Sequence, residues 1–315
     1  MIPPEWFEEA RQRITPHICK TPLEFDVGNR LYLKWENQQI TGSFKARGAL
    51  NKVLALQPWE RQRGIVTASA GNHGQGVALA GKLIGSPVTV FASESASRVK
   101  LDAIRAYGAE LRLVPGGYGE AEQAGLEYAR TQEKTWVSAY NDGQVIAGQG
   151  TLAREVVSEI HGEEHLTWLV PCGGGGLISG IGAALHSDAT QGKKNRLIGV
   201  QSQASPFLYE LFVHGTQAGA VELPSLADGL SGPVEQGSIT IPLARKYVDA
   251  MILVSEEEII SAMRYAWQRY HQRIEPSGAV GLAAVLTGRI ADRPAVVVIT
   301  GGNIQAEIHH QLIGA

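Results

Sequence analysis

The sequence predicts an α/β protein built on parallel sheets. Two observations carry that reading. Short β-rich runs alternate with stretches of helical period along the chain, and clusters of glycine fall where those runs end. A third sets the scale: 315 residues, 44% of them hydrophobic, support a substantial core in one large or two medium domains.

The predicted strands span 31–35, 64–68, 88–91, 110–114, 136–138, 167–170, 196–201, 251–254 and 295–299. Between most of them lie helical patterns. One begins at Ser43, with Ala46, Ala49, Leu50, Val53 and Leu54 on one face. Others run from about Gly74 to Leu83 and from Arg98 to Tyr107. Such alternation calls for right-handed crossovers between parallel strands. Composition alone does not place a domain boundary.

Composition also excludes. A net charge of −3 argues against a basic nucleic-acid binder. The hydrophobic content with 19% charged residues argues against disorder. Glycine is in excess, 37 residues or roughly 12% against a usual ~7%, without a three-residue period. Cys19 and Cys172 are too few for a disulfide framework. The first 20 residues are charged, contain Pro3, Pro4 and Pro16, and lack a signal-peptide core. No apolar run reaches membrane-spanning length, so the expectation is a soluble cytoplasmic protein.

In open α/β sheets, ligands sit beyond the C-terminal ends of strands. Four constellations lie at or near such points. Gly173, Gly174, Gly175 and Gly176, followed by Leu177, let backbone N–H groups and a helix N-terminus approach a phosphate. A plain βα turn is the blander reading, but four glycines carry a large entropic cost for a turn alone. The dinucleotide fingerprint fails, because Ser179 replaces its last glycine and no acid follows the next strand. The P-loop pattern is absent. A mononucleotide or a small phosphorylated cofactor remains.

Second, Lys45 in Thr41-Gly42-Ser43-Phe44-Lys45-Ala46-Arg47-Gly48-Ala49 falls in the first turn of a helix, and Gly48 and Ala49 leave space beside it. A cation there is destabilised, which favours a neutral amine able to form a Schiff base. Taken singly, a solvated lysine is the commoner outcome. Third, Ser69-Ala70-Gly71-Asn72-His73 offers donors for a carboxylate, or simply a capped turn. Fourth, Thr300-Gly301-Gly302-Asn303 sets a hydroxyl at a strand end, or marks an ordinary turn.

Together these four describe a pyridoxal phosphate site. The chain resembles the fold-type II pyridoxal phosphate enzymes, specifically the threonine/serine dehydratase and serine racemase group. Supporting stretches are Thr21-Pro22-Leu23, Leu33-Lys34-Trp35-Glu36-Asn37, Ile146 to Thr151, Ala227-Asp228-Gly229 and Glu275-Pro276-Ser277-Gly278-Ala279. The resemblance implies two open twisted parallel-sheet domains with helices on both faces. Residues 1–38 and 139–315 would form the larger, cofactor-binding domain and 39–138 the smaller. It implies that Lys45 carries the cofactor as an aldimine and later moves protons, with Phe44 near the ring. Gly173 to Gly176 and the Leu177 amide would hold the phosphate, Asn72 the phenolic oxygen and Thr300 the ring nitrogen. The substrate carboxylate would sit on Ser69, Ala70, Gly71, Asn72 and His73. The implied reaction takes L-threonine or L-serine to a 2-oxo acid and ammonia, in a homodimer or homotetramer.

Departures narrow the expectation. Ala70 stands where racemases of the group carry a serine, and a methyl group cannot exchange a proton. The stretch 116–121 lacks the arginine of racemases and hydroxyaspartate dehydratases. No acid follows Gly199-Val200, so the divalent-cation site of eukaryotic members is expected to be missing. After Ser277 only about one helix and one strand are expected, without a C-terminal regulatory domain. His161-Gly162-Glu163-Glu164-His165 matches an inverted zinc-peptidase pattern, but Gly162 opposes the helix that pattern needs, so no metal site is expected. Other readings are a nicotinamide-dependent oxidoreductase, opposed by the broken glycine fingerprint, and a non-catalytic binding protein, opposed by Lys45, Asn72 and Thr300 occurring together.

Overall fold

The computed structural model describes residues 1–187 and 194–314. Its strands are β1 (Leu23–Asp26), β2 (Leu31–Trp35), β3 (Ile65–Ala68), β4 (Val88–Ser93), β5 (Glu110–Val114), β6 (Thr135–Trp136), β7 (His165–Pro171), β8 (Lys194–Ser202), β9 (Ala250–Val254) and β10 (Ala295–Ile299). Around them lie helices α1 (Glu5–Ile14), α2 (Lys45–Leu54), α3 (Pro58–Arg63), α4 (Asn72–Ile84), α5 (Arg98–Arg105), α6 (Tyr118–Thr131) and α7 (Gly143–Glu159). The rest are α8 (Gly176–Leu185), α9 (Phe207–Val213), α10 (Thr240–Tyr247), α11 (Glu256–Tyr270), α12 (Pro276–Leu286) and α13 (Ala306–Ile313).

The strands make two sheets, ordered β1-β2-β10-β7-β8-β9 and β5-β4-β3-β6. Continuous apolar runs mark strands covered on both faces. Thus Ala295-Val296-Val297-Val298-Ile299 is wholly buried and lies between β2 and β7. Its alternate side chains feed two cores, Val296 and Val298 on the α1/α7/α8 side and Val297 and Ile299 on the α11/α12 side. Every pairing is parallel except one: β1 runs antiparallel to β2 at the edge. The sequence reading missed β1, because only its ends are even partly buried and it is four residues long.

Two further expectations need correction. A second helix, α13, follows Ser277 as well as α12, beyond the loop after β10, and buries His309 and Ile313. Gly48 does not make room for Lys45. A Cβ there would meet Gln149 Nε2 at 2.3 Å and Val145 O at 2.8 Å, so this glycine lets α2 cross closely over α7. Gly76 of α4 does face Lys45, whose carbonyl oxygen would lie 3.3 Å from an added Cβ. The segment 161–164 is a connection between α7 and β7, with Gly162 at φ +80°, and forms no helix.

Helix α2 is anchored by buried charge. Arg47 gives its Nε and Nη2 to the two Glu36 carboxylate oxygens at 2.8 and 2.7 Å, and Nη2 also meets Glu155 at 2.8 Å. Lys34 Nζ closes the network on Glu155 at 2.8 Å and on the Thr21 carbonyl at 2.7 Å. Among the described residues, no helix is long and apolar enough to cross a membrane. Both cysteines are free thiols.

Candidate active site

The site forms where β10, β7 and β3 end. Loop 41–44, leading into α2, is stitched to the end of β10. Phe44 N–H donates to Thr300 O at 3.0 Å, Gly302 N–H donates to Gly42 O at 3.0 Å, and Ser43 bridges Gly301. This places Lys45, the first residue of α2, beside Thr300.

Lys45 is half-buried, and its Nζ donates to the carbonyl of Ala139 at 3.0 Å. The ammonium also lies 5.3 Å from the centre of the Phe44 ring. Burial pushes the amine down to about 8, against the opposing pull of the Glu275 carboxylate. An amine so placed gives up its proton more readily than a solvated lysine, as a Schiff-base lysine must.

From Ala139 the chain runs through Tyr140 to the glycine loop after β7. The Tyr140 ring fills the space where a Cβ of Gly174 would sit, 2.5 Å away. Gly175 caps α8 at φ +85°, a conformation that favours glycine. Thr240 Oγ1 donates to Gly174 O at 2.7 Å and holds the loop from outside. The N–H groups of Gly176 and Leu177 open α8 and have no carbonyl partner within it. The result is a backbone cradle at a helix N-terminus, suited to a phosphate.

The loop after β3 forms another wall. Ser69 Oγ accepts from Gly71 N–H at 3.1 Å, and Asn72 opens α4. Ser69, Ala70, Gly71 and Asn72 are half-buried. His73 differs: its ring is buried, with Nε2 on the Val137 carbonyl at 3.2 Å. Burial, with Lys45 nearby, pushes it down to about 3, so the imidazole stays neutral. Only the main chain of His73 can serve a ligand as an anion donor.

Two residues without an assigned role in the sequence reading join the site. Glu275, just before α12, accepts from Asn72 Nδ2 at 2.8 Å, and its N–H donates to Gly301 O at 3.0 Å. Burial, then Asp228, pushes its carboxyl up to about 7. Asn303 donates to Asn72 Oδ1 at 2.7 Å. The structure therefore brings Phe44, Lys45, Asn72 and Thr300 into one connected cluster, with the glycine loop joined through Tyr140.

A sequence model of the pyridoxal-phosphate dependent enzymes matches residues 14–301. The chain belongs to that family. An L-threonine ammonia-lyase of Thermotoga maritima is 39% identical over 323 residues, covering 99% of this chain and 78% of that protein. The catabolic L-threonine dehydratase of Staphylococcus aureus is 39% identical over 310 residues, covering 94% of this chain and 88% of its own. Among solved structures, serine racemase from Dictyostelium discoideum superposes with a TM-score of 0.84 at 32% identity, over 96% of this chain and 99% of that one. Threonine deaminase isoform 2 from Solanum lycopersicum gives 0.86 at 26%, over 98% and 92%.

The residues present fit the family's cofactor. A phosphate needs the N–H cradle that opens α8, and an aldehyde needs an amine that sheds its proton. Among the described residues, Ser43 Oγ, in the loop stitched to the end of β10, is a buried polar atom without a hydrogen-bond partner in the protein. Glu275 was readable as part of a motif, but nothing local in the sequence ties it to Asn72.

Proposed function

We propose that this protein is a pyridoxal-phosphate dependent ammonia-lyase converting L-threonine, L-serine or both to 2-oxobutanoate or pyruvate plus ammonia. The observation that carries this reading is the Lys45 amine, pushed down to about 8 at the head of α2 and tied to Thr300 through Phe44. The relatives named as threonine ammonia-lyases and dehydratases support the substrate class.

Held at this site, the cofactor would supply an electron sink that lets a substrate α-proton leave. Once the substrate amine has replaced it on the cofactor, the freed Lys45 Nζ would take that proton. The N–H groups of Gly173 to Leu177 would hold the phosphate, and Asn72 would donate to the phenolic oxygen. Thr300 would offer the ring nitrogen a neutral hydroxyl, which would not hold that nitrogen protonated as an acid would. A hydroxyl in that place would suit loss of the substrate's β-hydroxyl. The substrate carboxylate sits on the Ser69 to His73 backbone, at the N-terminus of α4. The substrate loses one water as it eliminates, and the released enamine takes one back as it yields ammonia.

Ala70 sets this reading apart from a serine racemase, since its methyl group offers no proton to the second face. The missing arginine in 116–121 sets it apart from a hydroxyaspartate dehydratase. The test is a panel of hydroxy amino acids of both chiralities, given to the cofactor-loaded protein and scored for 2-oxo acid and for enantiomer. Turnover of L-threonine or L-serine to 2-oxo acid is expected. Enantiomer formation without 2-oxo acid would overturn the reading.

The same reading covers organisation. Residues 1–38 and 139–315 form the large domain and 39–138 the small one, supported by all four strands of the smaller sheet lying within 39–138. Hydrogen exchange that failed to separate the two segments would count against it. The reading also takes the enzyme to be cytoplasmic and a homodimer or homotetramer, and a monomer by light scattering would refute the assembly.

A further inference from the structure

Asn72 meets the cofactor's phenolic oxygen under the reading above, and it is itself held by two other side chains. Asn303 Nδ2 donates to the main-chain carbonyl of Thr41 at 2.8 Å and to Asn72 Oδ1 at 2.7 Å. A main-chain carbonyl can only accept, so it decides which end of the Asn303 amide is the nitrogen. That decision passes to Asn72: its oxygen faces Asn303, and its nitrogen faces Glu275 Oε1 at 2.8 Å. Asn72 Nδ2 carries two hydrogens, and Glu275 takes one. One N–H therefore remains to give.

The carboxylate end of this chain is equally built. Glu275 is fixed by its own N–H on Gly301 O at 3.0 Å, and a Cβ at Gly301 would lie 2.3 Å from Glu275 Oε1, so only glycine leaves the carboxylate its place. The charged groups acting on Glu275 are Asp228, which opposes its ionisation, and Lys100, which favours it. Lys45 faces it from α2. A free asparagine can turn either edge of its amide to a ligand. The wrong edge would set Oδ1 against an anionic oxygen.

We propose that Asn303 and Glu275 are positioning residues of the cofactor site, locking the Asn72 carboxamide so that it meets the bound cofactor as a hydrogen-bond donor. This rests on the assignment of Asn72 to the phenolic oxygen. Neither residue needs to touch the reacting atoms. What each contributes is chemical, a donor at 303 and an acceptor at 275, and not bulk.

The test titrates cofactor-free protein with pyridoxal phosphate and reads the dissociation constant and the visible absorption band. Asn303→Asp keeps the shape but cannot donate, and Glu275→Leu keeps the bulk but cannot accept. Each is expected to weaken cofactor binding about tenfold and shift the band, the size of one lost and misdirected hydrogen bond. Glu275→Gln, which retains an acceptor, recovers most of the loss. Asn72→Ala serves as the reference. If Asn72→Ala weakens binding and shifts the band while Asn303→Asp and Glu275→Leu do neither, the positioning role is wrong and the Asn72 assignment stands. If Asn72→Ala changes neither, the assignment itself fails and the positioning role falls with it. Matching circular dichroism of each variant separates these outcomes from misfolding, and the two substitutions on different elements test the lock independently.

Discussion

The first turn of α2 carries two basic residues two positions apart, Lys45 and Arg47, and their surroundings are opposite. Arg47 points into a closed network with Glu36, Glu155 and Lys34. Burial pushes the Glu36 carboxyl up, but the Arg47 guanidinium outweighs it and holds Glu36 below the usual carboxylate range. Lys45 lies on the site side with the Ala139 carbonyl as its partner, and among the described residues no carboxylate lies within salt-bridge distance of it. There burial wins: Lys45 falls to about 8, His73 to about 3, and Glu275 rises to about 7. The comparison teaches that burial alone does not decide ionisation. Hydrogen-bonded counter-charges keep the network charged, and their scarcity at the site lets it move protons.

The sharpest way to break the comparison is to remove each base in turn. Lys45→Ala should reduce 2-oxo acid production to background and abolish the borohydride-sensitive visible absorbance, with little loss of stability. Arg47→Met should do the reverse in kind. It leaves Glu36 buried without its guanidinium, with only Lys34 nearby and the Thr21 hydroxyl to offset its charge, at a cost of about 3 kcal/mol in unfolding free energy by urea titration. Full turnover by Lys45→Ala, or wild-type stability in Arg47→Met, would remove the distinction.

The same contrast explains what the sequence made legible. Lys45, the run from Gly173 to Gly176 and Thr300 stand beside strand or helix ends, so their placement follows from local pattern. The strand at 295–299 was readable because it is apolar throughout. The partners that tune the site were not. Glu275 lies 203 residues from Asn72, and Asn303 lies 231 away. Gly48 seemed to serve Lys45, but its neighbour is Gln149, supplied by a helix about a hundred residues on. Distances of that kind are set by the fold, and no spacing rule in the chain encodes them.

A second test concerns pH. His73 is neutral when folded, pushed down to about 3 from the usual 6.5, so the unfolded chain binds a proton that the folded chain refuses. That contribution is fully present above about pH 6.5 and is lost as pH falls toward 3. Glu275 has the opposite sign. Its folded carboxyl is raised to about 7, so its contribution is lost as pH rises from 4.5 to 7. The difference in stability between wild type and His73→Gln should therefore narrow on going from pH 7 to pH 5, read as urea midpoints. A difference that stays constant would mean that the imidazole is not held neutral.

The smallest expected effect lies at Ala70. In the proposed mechanism Lys45 acts on the substrate from α2, and the loop at 69–73 stands at the start of α4, on another element of the site. Under the proposed mechanism, a methyl group at 70 leaves protons to move on one face only. Ala70→Ser adds one hydroxyl to a half-buried position and little volume, so the fold should tolerate it. Under the proposed mechanism this hydroxyl gives the second face a proton carrier. D-serine formation from L-serine should then rise relative to pyruvate, with total turnover changed by less than about tenfold. The measurement is chiral chromatography of the same reaction that is scored for 2-oxo acid. An unchanged ratio would mean that position 70 does not gate the second face, and that something else keeps the chemistry one-sided.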